Sequence, residues 1–204
     1  LAGIRTQLEL IPGDHDTASR DSRARQCIGA IDRLSHLVNQ MRVLLSAEPG
    51  GRQAGLAETI DLPELIRERS PEWIRLASTH ALDLGFELQP CQVTGDRLLL
   101  GEMIANLVHN ALDYTPAPGE VTVRCRPLDA GCLIEVEDNG PGIPPAFRER
   151  VFERFFRLPN ASRPGGGLGL PIVREIVRGF GGQVDIHSPT HGHGTLLQVR
   201  LPSP

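Results

Sequence analysis

Two glycine-rich stretches carry residue types and spacings that could bind a phosphorylated ligand. The first glycine loop (residues 139–143) follows the carboxylate of Asp138 at the end of an apolar strand pattern, and the second glycine loop (residues 165–169) runs into an apolar helix pattern. Glycine lets the backbone approach a ligand closely, and the first amides of a helix attract phosphate. Together they predict a nucleotide pocket in which Asp138 selects the base and the second loop holds the phosphates. Either stretch alone is also typical of a tight turn.

A third chemical feature is a line of polar side chains on the helix predicted for residues 97–114. Another face of this helix forms a buried stripe made of Leu100, Ile104, Leu107 and Ala111. The polar line consists of Glu102, Asn106, Asn110 and Asp113. Oxygen-bearing side chains one turn apart suit a hydrated Mg²⁺ ion and phosphate oxygens, because Mg²⁺ takes oxygen ligands and keeps several waters. In isolation, such a face is also typical of a helix that simply faces water.

Residues 56–204 alternate strand and helix patterns and predict one α+β domain. Strands are predicted at residues 59–62, 82–88, 120–126, 132–137, 184–187 and 195–201. Helices are predicted at residues 65–78, 97–114 and 168–180, and Pro71 marks a kink or a break in the first. The polar, Arg-rich lid segment (residues 144–163) holds four of the six phenylalanines. It predicts a mobile lid over the pocket.

Residues 1–48 predict a separate helical hairpin. Apolar residues recur at alternating steps of three and four from Ala24 to Leu45, which is typical of a coiled-coil or bundle seam. Two helices alone bury little apolar surface. We therefore expect either a four-helix bundle made by dimerisation or a hairpin that packs on its own globular domain. Glycines at residues 49–55 interrupt the pattern and predict a linker.

Composition excludes several classes of nucleotide-binding protein. The chain contains no Lys, so all 21 basic residues are Arg, and the Lys that a P-loop or a protein-kinase fold needs is absent. The net charge of −4 argues against a nucleic-acid surface. The four cysteines, which form no C-x-x-C pair, are Cys27, Cys91, Cys125 and Cys132. We expect reduced thiols in a cytosolic protein, with Cys125 and Cys132 able to face each other across a hairpin. No signal peptide and no apolar run near the ~18 residues of a membrane helix are evident.

Four motifs, in this order and spacing, resemble those of the Bergerat-fold ATPases and in particular the cytoplasmic core of bacterial two-component sensor histidine kinases. They are an N box at Asn106–Ala111, a first glycine box at Asp138–Gly142, an F box at Phe152–Arg157 and a second glycine box at Gly165–Leu170. Residues Gly192–Thr195 are similar to a weaker final glycine motif. The resemblance covers about residues 56–202. It implies a two-layer α/β sandwich with a mixed sheet and helices on one face.

On the base side of the pocket, the resemblance implies that Asp138 accepts a hydrogen bond from the adenine amino group of ATP. Gly140 and Gly142 then let the backbone pass the base, and Tyr114 packs near it. The other residues implied to contact the nucleotide on this side are Ile143 and Thr195.

On the phosphate side, the resemblance implies that Asn110 is the ligand of a Mg²⁺ ion that bridges the phosphates. Asn106 supports the phosphates, Arg163 is the lid cation for the γ-phosphate, and Arg157 is a second candidate for that cation. The cradle for the phosphates and the hinge of the lid consist of Gly165, Gly167, Leu168 and Gly169. The implied catalytic residues are therefore Asn106, Asn110 and Arg163, because phosphoryl transfer depends mainly on positioning and charge neutralisation.

The hairpin is similar to the dimerisation and phosphoacceptor domain of the same kinases. Residues 1–6, Leu-Ala-Gly-Ile-Arg-Thr, resemble those that follow the phosphorylated histidine, so we expect that histidine a few residues before Leu1. The chain is then a truncated kinase that binds ATP and Mg²⁺ but does not phosphorylate itself.

The intact protein is expected to be an enzyme, a protein histidine kinase of a two-component phosphorelay. It would pass phosphate from its histidine to an aspartate of a response-regulator receiver domain, and it would form a homodimer through the hairpin. No nucleic-acid partner is expected. The chain is expected to be the cytoplasmic portion of a bacterial inner-membrane sensor.

Two other function classes stay open, namely a Bergerat-fold ATPase that hydrolyses ATP and a binding module that nucleotide regulates. Hydrolysing relatives place a Glu where this chain has Asn106, which argues against hydrolysis. One position departs from the kinase pattern: Asp113 stands where Lys or Arg is frequent. A like charge near the triphosphate would weaken nucleotide binding.

Overall fold

The computed structural model describes residues 58–159, 167–189 and 192–203. All of them belong to one compact unit. The predicted hairpin at residues 1–48 and the linker at residues 49–55 lie outside the described residues, so these boundaries stay predictions. Within the described part of the chain, no helix is long and apolar enough to cross a membrane.

The described residues form strands and helices in the alternation that the sequence predicts, with one additional strand, Gln92–Gly95, that it does not predict. In chain order they are β1 (Glu58–Asp61), α1 (Leu62–Thr79), β2 (Leu82–Leu88), β3 (Gln92–Gly95), α2 (Arg97–Tyr114), β4 (Gly119–Leu128), β5 (Gly131–Asp138), α3 (Gly169–Gly179), β6 (Gln183–His187) and β7 (Thr195–Pro202). Two short 3₁₀ turns, Pro145–Phe147 and Arg150–Phe152, lie between β5 and α3.

A five-stranded sheet has the strand order β2-β4-β5-β7-β6. Only the β2–β4 pair is parallel; the other three pairs are antiparallel. Strands β1 and β3 form a separate antiparallel pair. The α+β class and the mixed sheet of the sequence prediction are confirmed.

The sheet has one apolar and one polar face, as the alternation of side chains along a strand requires. In β4, Val121, Val123 and Cys125 are buried, whereas Arg124 between them is partly exposed. The helices pack on the sheet through α1 on β2, α2 on β5 and α3 on β6, and α2 also contacts α1 and α3. The core therefore lies between the sheet and a helical layer, with the last residue of β5 and the first residue of β7 at one end of it.

Helix α1 shows how a proline can sit inside a helix. Asp61 caps it by accepting a 2.8 Å hydrogen bond from the Glu64 amide. Pro71 has no amide hydrogen for the carbonyl of Arg67, four residues earlier. The Ser70 hydroxyl donates to that carbonyl at 2.9 Å instead. The prediction of a break at Pro71 is therefore wrong, because the helix is continuous from Leu62 to Thr79 and begins three residues before the predicted Leu65. The alternative of a kink at Pro71 stays a prediction.

Helix α2 begins and ends where the sequence predicts. The Asp96 carboxylate caps it by accepting hydrogen bonds from the amides of Leu98 at 2.8 Å and Leu99 at 3.2 Å. However, every residue from 100 to 108 is buried, because the helix lies against neighbours on several sides. Glu102 is only 6% exposed and pairs with Arg69 of α1 at 3.8 Å. The predicted polar line is thus not one continuous surface.

The described cysteines are free thiols in the core. The expected cross-strand pairing of Cys125 with Cys132 is wrong, because Cys125 is opposite Ile134 and Cys132 is opposite Pro127. Hydrogen bonding to Cys125 and burial raise the pKa of Cys91, which therefore stays protonated.

Candidate nucleotide-binding site

Asp138 is the last residue of β5, and its carboxylate is built into the end of the sheet. In the register it is opposite Val121 of β4 and Thr195 of β7. The residue is only 5% exposed. Its Oδ1 atom accepts hydrogen bonds from the Gly140 amide at 2.9 Å and from the Thr195 amide at 3.2 Å. Two backbone segments that are far apart in sequence therefore hold the carboxylate in one orientation.

The environment of Asp138 disfavours the charged form of its carboxyl group. Burial raises the pKa of the carboxyl above its ordinary value, and the neighbouring charge of Glu137 adds to this. Hydrogen bonds from the Gly140 amide and from the amide and hydroxyl of Thr195 lower the pKa and offset part of that shift. A carboxylate has about four acceptor sites, so these donors leave capacity for one more N–H group.

Close backbone packing surrounds the carboxylate and requires glycine. A Cβ atom on Gly194 would lie 1.7 Å from the carbonyl oxygen of Asp138, and one on Gly142 would lie 2.7 Å from the carbonyl oxygen of Gly194. Both glycines have positive φ, +132° and +75°. A Cβ on Gly140 would meet Asp138 Oδ1 at 2.9 Å. The first glycine loop is thus stacked against the start of β7 with no room for side chains between them.

The C-terminal end of α2 borders this loop. A Cβ on Gly140 would lie 3.1 Å from the carbonyl oxygen of Tyr114 and 3.4 Å from Cα of Thr115. The Thr115 hydroxyl donates to the Ala111 carbonyl at 2.7 Å and is buried at the helix end. Tyr114 is 37% exposed, and the atom through which it borders the first glycine loop is its carbonyl oxygen.

The middle of α2 borders the second glycine loop. Asn106 is 2% exposed, and its Nδ2 donates to the Glu102 carbonyl at 2.8 Å. A Cβ on Gly169, the first residue of α3, would lie 3.3 Å from Asn106 Oδ1. Asn110, which is half-buried, lies one turn further along α2, between the two loop contacts. The helix thus reaches both glycine loops.

The lid segment is fastened at its base. The Phe155 amide donates to the Gly167 carbonyl at 2.9 Å. A Cβ on Gly167, whose φ is +63°, would lie 2.8 Å from the backbone of Phe155. Arg174 of α3 donates to the Phe152 carbonyl at 2.8 Å, and its guanidinium lies 5.1 Å from the Phe152 ring centroid. Arg150 stacks over Phe156 at 4.4 Å.

The predicted site residues fall into three groups. The structure brings together those around the carboxylate and along α2: Asn106, Asn110, Tyr114, Asp138, Gly140, Gly142, Gly169 and Thr195. Ile143 packs partly buried on the core, Gly167 lies against the backbone of Phe155, Leu168 caps α3, and Arg157 is exposed. Arg163 and Gly165 lie outside the described residues. The ligand contacts of all of these residues stay predictions.

Three residues that shape the site are absent from the sequence prediction: Gly194, Arg148 and Arg174. Gly194 lies within the final glycine motif, and that motif is the sequence signal that could have identified it. Arg148 and Arg174 contact segments that lie 22 to 40 residues away in the sequence. No local sequence pattern therefore identifies them as site residues.

The family model for "Histidine kinase-, DNA gyrase B-, and HSP90-like ATPase" matches residues 95–204. The match covers more than half of the chain and includes all of the motifs above. The chain belongs to this ATPase family.

Within the ATPase family, the similar curated proteins are sensor kinases. The chain is 32% identical over 203 residues to "Sensor protein kinase PmrB" of Pseudomonas aeruginosa, covering 99% of this chain and 42% of that protein. It is 36% identical over 216 residues to "Signal transduction histidine-protein kinase/phosphatase MprB" of Mycolicibacterium vanbaalenii, covering 99% and 43%. The resemblance to sensor histidine kinases is confirmed, and the chain spans less than half the length of these relatives.

Solved structures of histidine kinases share the fold. The mycobacterial sensor histidine kinase MprB has a TM-score of 0.64 and 37% identity, covering 73% of this chain and 99% of that chain. Histidine kinase ThkA, solved in complex with response regulator protein TrrA, has a TM-score of 0.70 and covers 100% of this chain and 56% of that chain. At 22% identity, the latter likeness concerns the fold alone.

Proposed function

We propose that this chain is the ATP-binding catalytic core of a sensor histidine kinase, which transfers the γ-phosphate of ATP to a histidine and thence to an aspartate of a response regulator. The buried carboxylate of Asp138 carries the proposal. It is held by neutral donors and keeps acceptor capacity for an external N–H group. The amino group of adenine supplies such a donor. Guanine carries a carbonyl oxygen at the same position, and two acceptors would face each other.

A substitution of Asp138 tests base recognition. In Asp138→Asn, the amide oxygen can still accept from Gly140 and Thr195, while the NH₂ group replaces the second carboxylate oxygen. We expect ATP affinity to fall at least about tenfold, because a hydrogen bond to a charged group contributes about 1.5–3 kcal/mol. Titration calorimetry with ATP and GTP measures this loss and the preference between the two bases.

The matched control is Glu137→Gln, which alters the adjacent carboxylate on the same strand. Glu137 pairs with Arg124 of β4 rather than with the first glycine loop. ATP affinity is expected to stay near that of the unsubstituted chain. An equal loss in both variants, or full ATP affinity in Asp138→Asn, would contradict base recognition by Asp138.

The phosphate side of the proposal concerns Asn110, Asn106 and Arg163. A carboxamide oxygen suits Mg²⁺, which binds hard oxygen ligands, and Asn110 supplies one on the helix that joins the two loops. When bound, Mg²⁺ neutralises phosphate charge. Asn106 beside Gly169 supports the phosphates, and Arg163, from the lid segment, is the cation for the γ-phosphate.

Substitutions of Asn110 separate a metal ligand from a structural residue. Asn110→Ala should remove most of the Mg²⁺ dependence of ATP affinity, whereas Asn110→Asp keeps an oxygen ligand and should retain that dependence. Calorimetric titrations with and without Mg²⁺ measure it. Equal Mg²⁺ dependence in the alanine variant and the unsubstituted chain would exclude Asn110 as the ligand.

The reaction itself is tested on a form of the protein that contains the phosphoacceptor histidine. Incubation with ATP should give acid-labile, base-stable protein phosphate that a receiver domain then removes. Free phosphate without labelled protein would favour the hydrolysing ATPase instead. Homodimer formation through the hairpin and a cytoplasmic location beneath a membrane sensor belong to the same proposal, and the similarity to sensor kinases supports them.

A further inference from the structure

We infer that Arg148 is a positioning residue for the base side of the pocket, because it fastens the exit of the first glycine loop to the end of β6. This inference rests on the proposed function, since it concerns how the same pocket is held open for ATP. Arg148 follows the 3₁₀ turn Pro145–Phe147 and is half-buried.

The guanidinium of Arg148 connects three separate points of the chain. Its Nε donates to the Ile143 carbonyl at 3.3 Å, and its Nη1 donates to the Ile186 carbonyl at 3.3 Å. Its Nη2 donates to the Ser188 hydroxyl at 2.7 Å. A planar guanidinium presents several donors in a fixed fork. It can therefore satisfy acceptors on the loop and on β6 together, which the compact ammonium of Lys cannot reproduce.

This connection is one half of a two-sided attachment. On the other side, Gly142 packs directly against the Gly194 backbone just before β7. Ile186 belongs to β6, which pairs with β7. The first glycine loop is thus held at Gly142 by one strand of the β6–β7 pair and at Ile143 by the other. Without Arg148, the attachment through Ile143 is lost, and only the packing of Gly142 against Gly194 remains.

We expect the loss of Arg148 to affect the first glycine loop rather than the fold of the domain. Gly142 has a φ of +75°, so the chain turns sharply just before Ile143. Loss of the arginine frees the carbonyl of Ile143, so we expect the exit of the loop to loosen, while Asn139 stays paired with Glu120 and Gly140 with Asp138. Only one of the three hydrogen bonds reaches the sheet, at Ile186 in the edge strand β6, and none reaches α1–α3. We therefore expect the sheet and these helices to keep their structure.

The test compares Arg148→Met with Arg126→Met in this chain. Methionine keeps an unbranched apolar stem and removes every donor. Arg126 is a surface residue that pairs with Glu135 at 3.6 Å on the polar face of the sheet. We expect Arg148→Met to weaken ATP binding about tenfold, which corresponds to ~1.4 kcal/mol, and Arg126→Met to leave it unchanged. Arg148→Lys should restore only part of the affinity.

Amide hydrogen exchange without nucleotide provides a second readout. Residues 139–147 should exchange faster in Arg148→Met, whereas residues 62–79 of α1 should exchange as in the unsubstituted chain. Unchanged exchange at residues 139–147, unchanged ATP affinity, or faster exchange throughout would each overturn the inference. Failure of the unsubstituted chain to bind ATP would instead overturn the proposed function, and the exchange result would still decide whether Arg148 holds the loop.

Discussion

The two ends of the proposed pocket are built by different kinds of contact. The base end (Asp138, the first glycine loop and residues 194–195) consists of backbone packed on backbone, with only 1.7 Å between a Cβ at Gly194 and the Asp138 carbonyl oxygen. The phosphate end (Asn106 and residues 167–169) combines one close backbone contact, 2.8 Å between a Cβ at Gly167 and Phe155, with a looser side-chain contact, 3.3 Å between a Cβ at Gly169 and Asn106 Oδ1.

This difference suggests a division of roles. In the proposed function, base recognition depends on the Asp138 carboxylate, which the amides of Gly140 and Thr195 hold in one orientation. At the phosphate end, the lid segment is held at its base by the hydrogen bond between Phe155 and Gly167 and by the contacts of Arg174. We therefore expect substitutions at the base end to have larger effects.

Gly194→Ala should have the largest effect. Its methyl group would overlap the Asp138 carbonyl, so β5 and β7 would have to separate where they hold the carboxylate. We expect ATP affinity to fall about a hundredfold, which corresponds to ~2.7 kcal/mol. Nucleotide titration measures this loss, and urea unfolding reports the accompanying loss of stability.

Gly192→Ala is the matched control for this prediction. Gly192 also has a positive φ, +105°, but a Cβ there meets nothing within 4 Å. Both variants carry backbone strain of about 1–3 kcal/mol, so their difference isolates the overlap with Asp138. Equal ATP affinities in the two variants would show that the close packing is irrelevant to binding.

Lowering the pH should weaken ATP binding through Asp138, by up to about tenfold per pH unit below the pKa of its carboxyl. Burial raises that pKa, so protonation begins at higher pH than for an exposed aspartate, and the protonated group is a poorer acceptor. The effect on folding has the opposite sign. With a raised folded-state pKa, the contribution of Asp138 to stability is greatest at low pH and decreases as pH rises through that pKa.

Parallel titrations of ATP affinity and urea unfolding across pH separate these two effects. Asp138→Asn should remove the pH-dependent change that Asp138 causes in ATP affinity and in stability. If the unsubstituted chain and this variant show the same pH dependence of binding, another group controls it.

Gly167→Ala should have a smaller effect, a loss of about fivefold in ATP affinity, or ~1 kcal/mol. The methyl group would press on the backbone of Phe155 and disturb the base of the lid segment. Gly181→Ala is the control, because Gly181 has a similar φ of +69° with nothing within 4 Å of its Cβ.

Gly169→Ala should weaken binding less than Gly167→Ala, and the reverse order would contradict the looser contact inferred at Asn106.

Asp113→Arg should have the smallest effect and the opposite sign. Asp113 is exposed near the end of α2, where a positive charge would attract the triphosphate through solvent. An exposed charge contributes at most about 1 kcal/mol, so we expect ATP affinity to rise about two- to threefold at low salt. Unchanged affinity would mean that Asp113 lies too far from the phosphates to matter.

Local sequence patterns predicted the elements that carry the site. Asp96 and the apolar stripe fixed the bounds of α2, and the strand that ends at Asp138 was evident from its run of apolar residues. Start and stop signals of this kind act over a few residues. For the same reason the asparagines of α2 and the glycines of both loops could be identified.

Contacts between distant residues could not be predicted in this way. Glu102 seemed to belong to a polar helix face, but Arg69 of α1 covers it. Pro71 suggested a break, but the hydroxyl of Ser70 compensates for the missing amide. The role of Arg148 depends on β6 and Ser188, which follow it by 38 to 40 residues, and only the folded chain brings them together.

Because a hydrogen bond joins Phe155 to Gly167, the segment between them can be treated as an exchangeable unit. Its two ends are joined to each other whatever the intervening length, and the entropy of closing a longer loop costs only about 0.6 kcal/mol for each doubling. A peptide tag or a reporter inserted in this interval would leave both attachment points in register. Under the proposed function, replacing this interval with that of a sensor kinase relative would change the phosphate side of the pocket and leave Asp138 as the proposed base-binding residue.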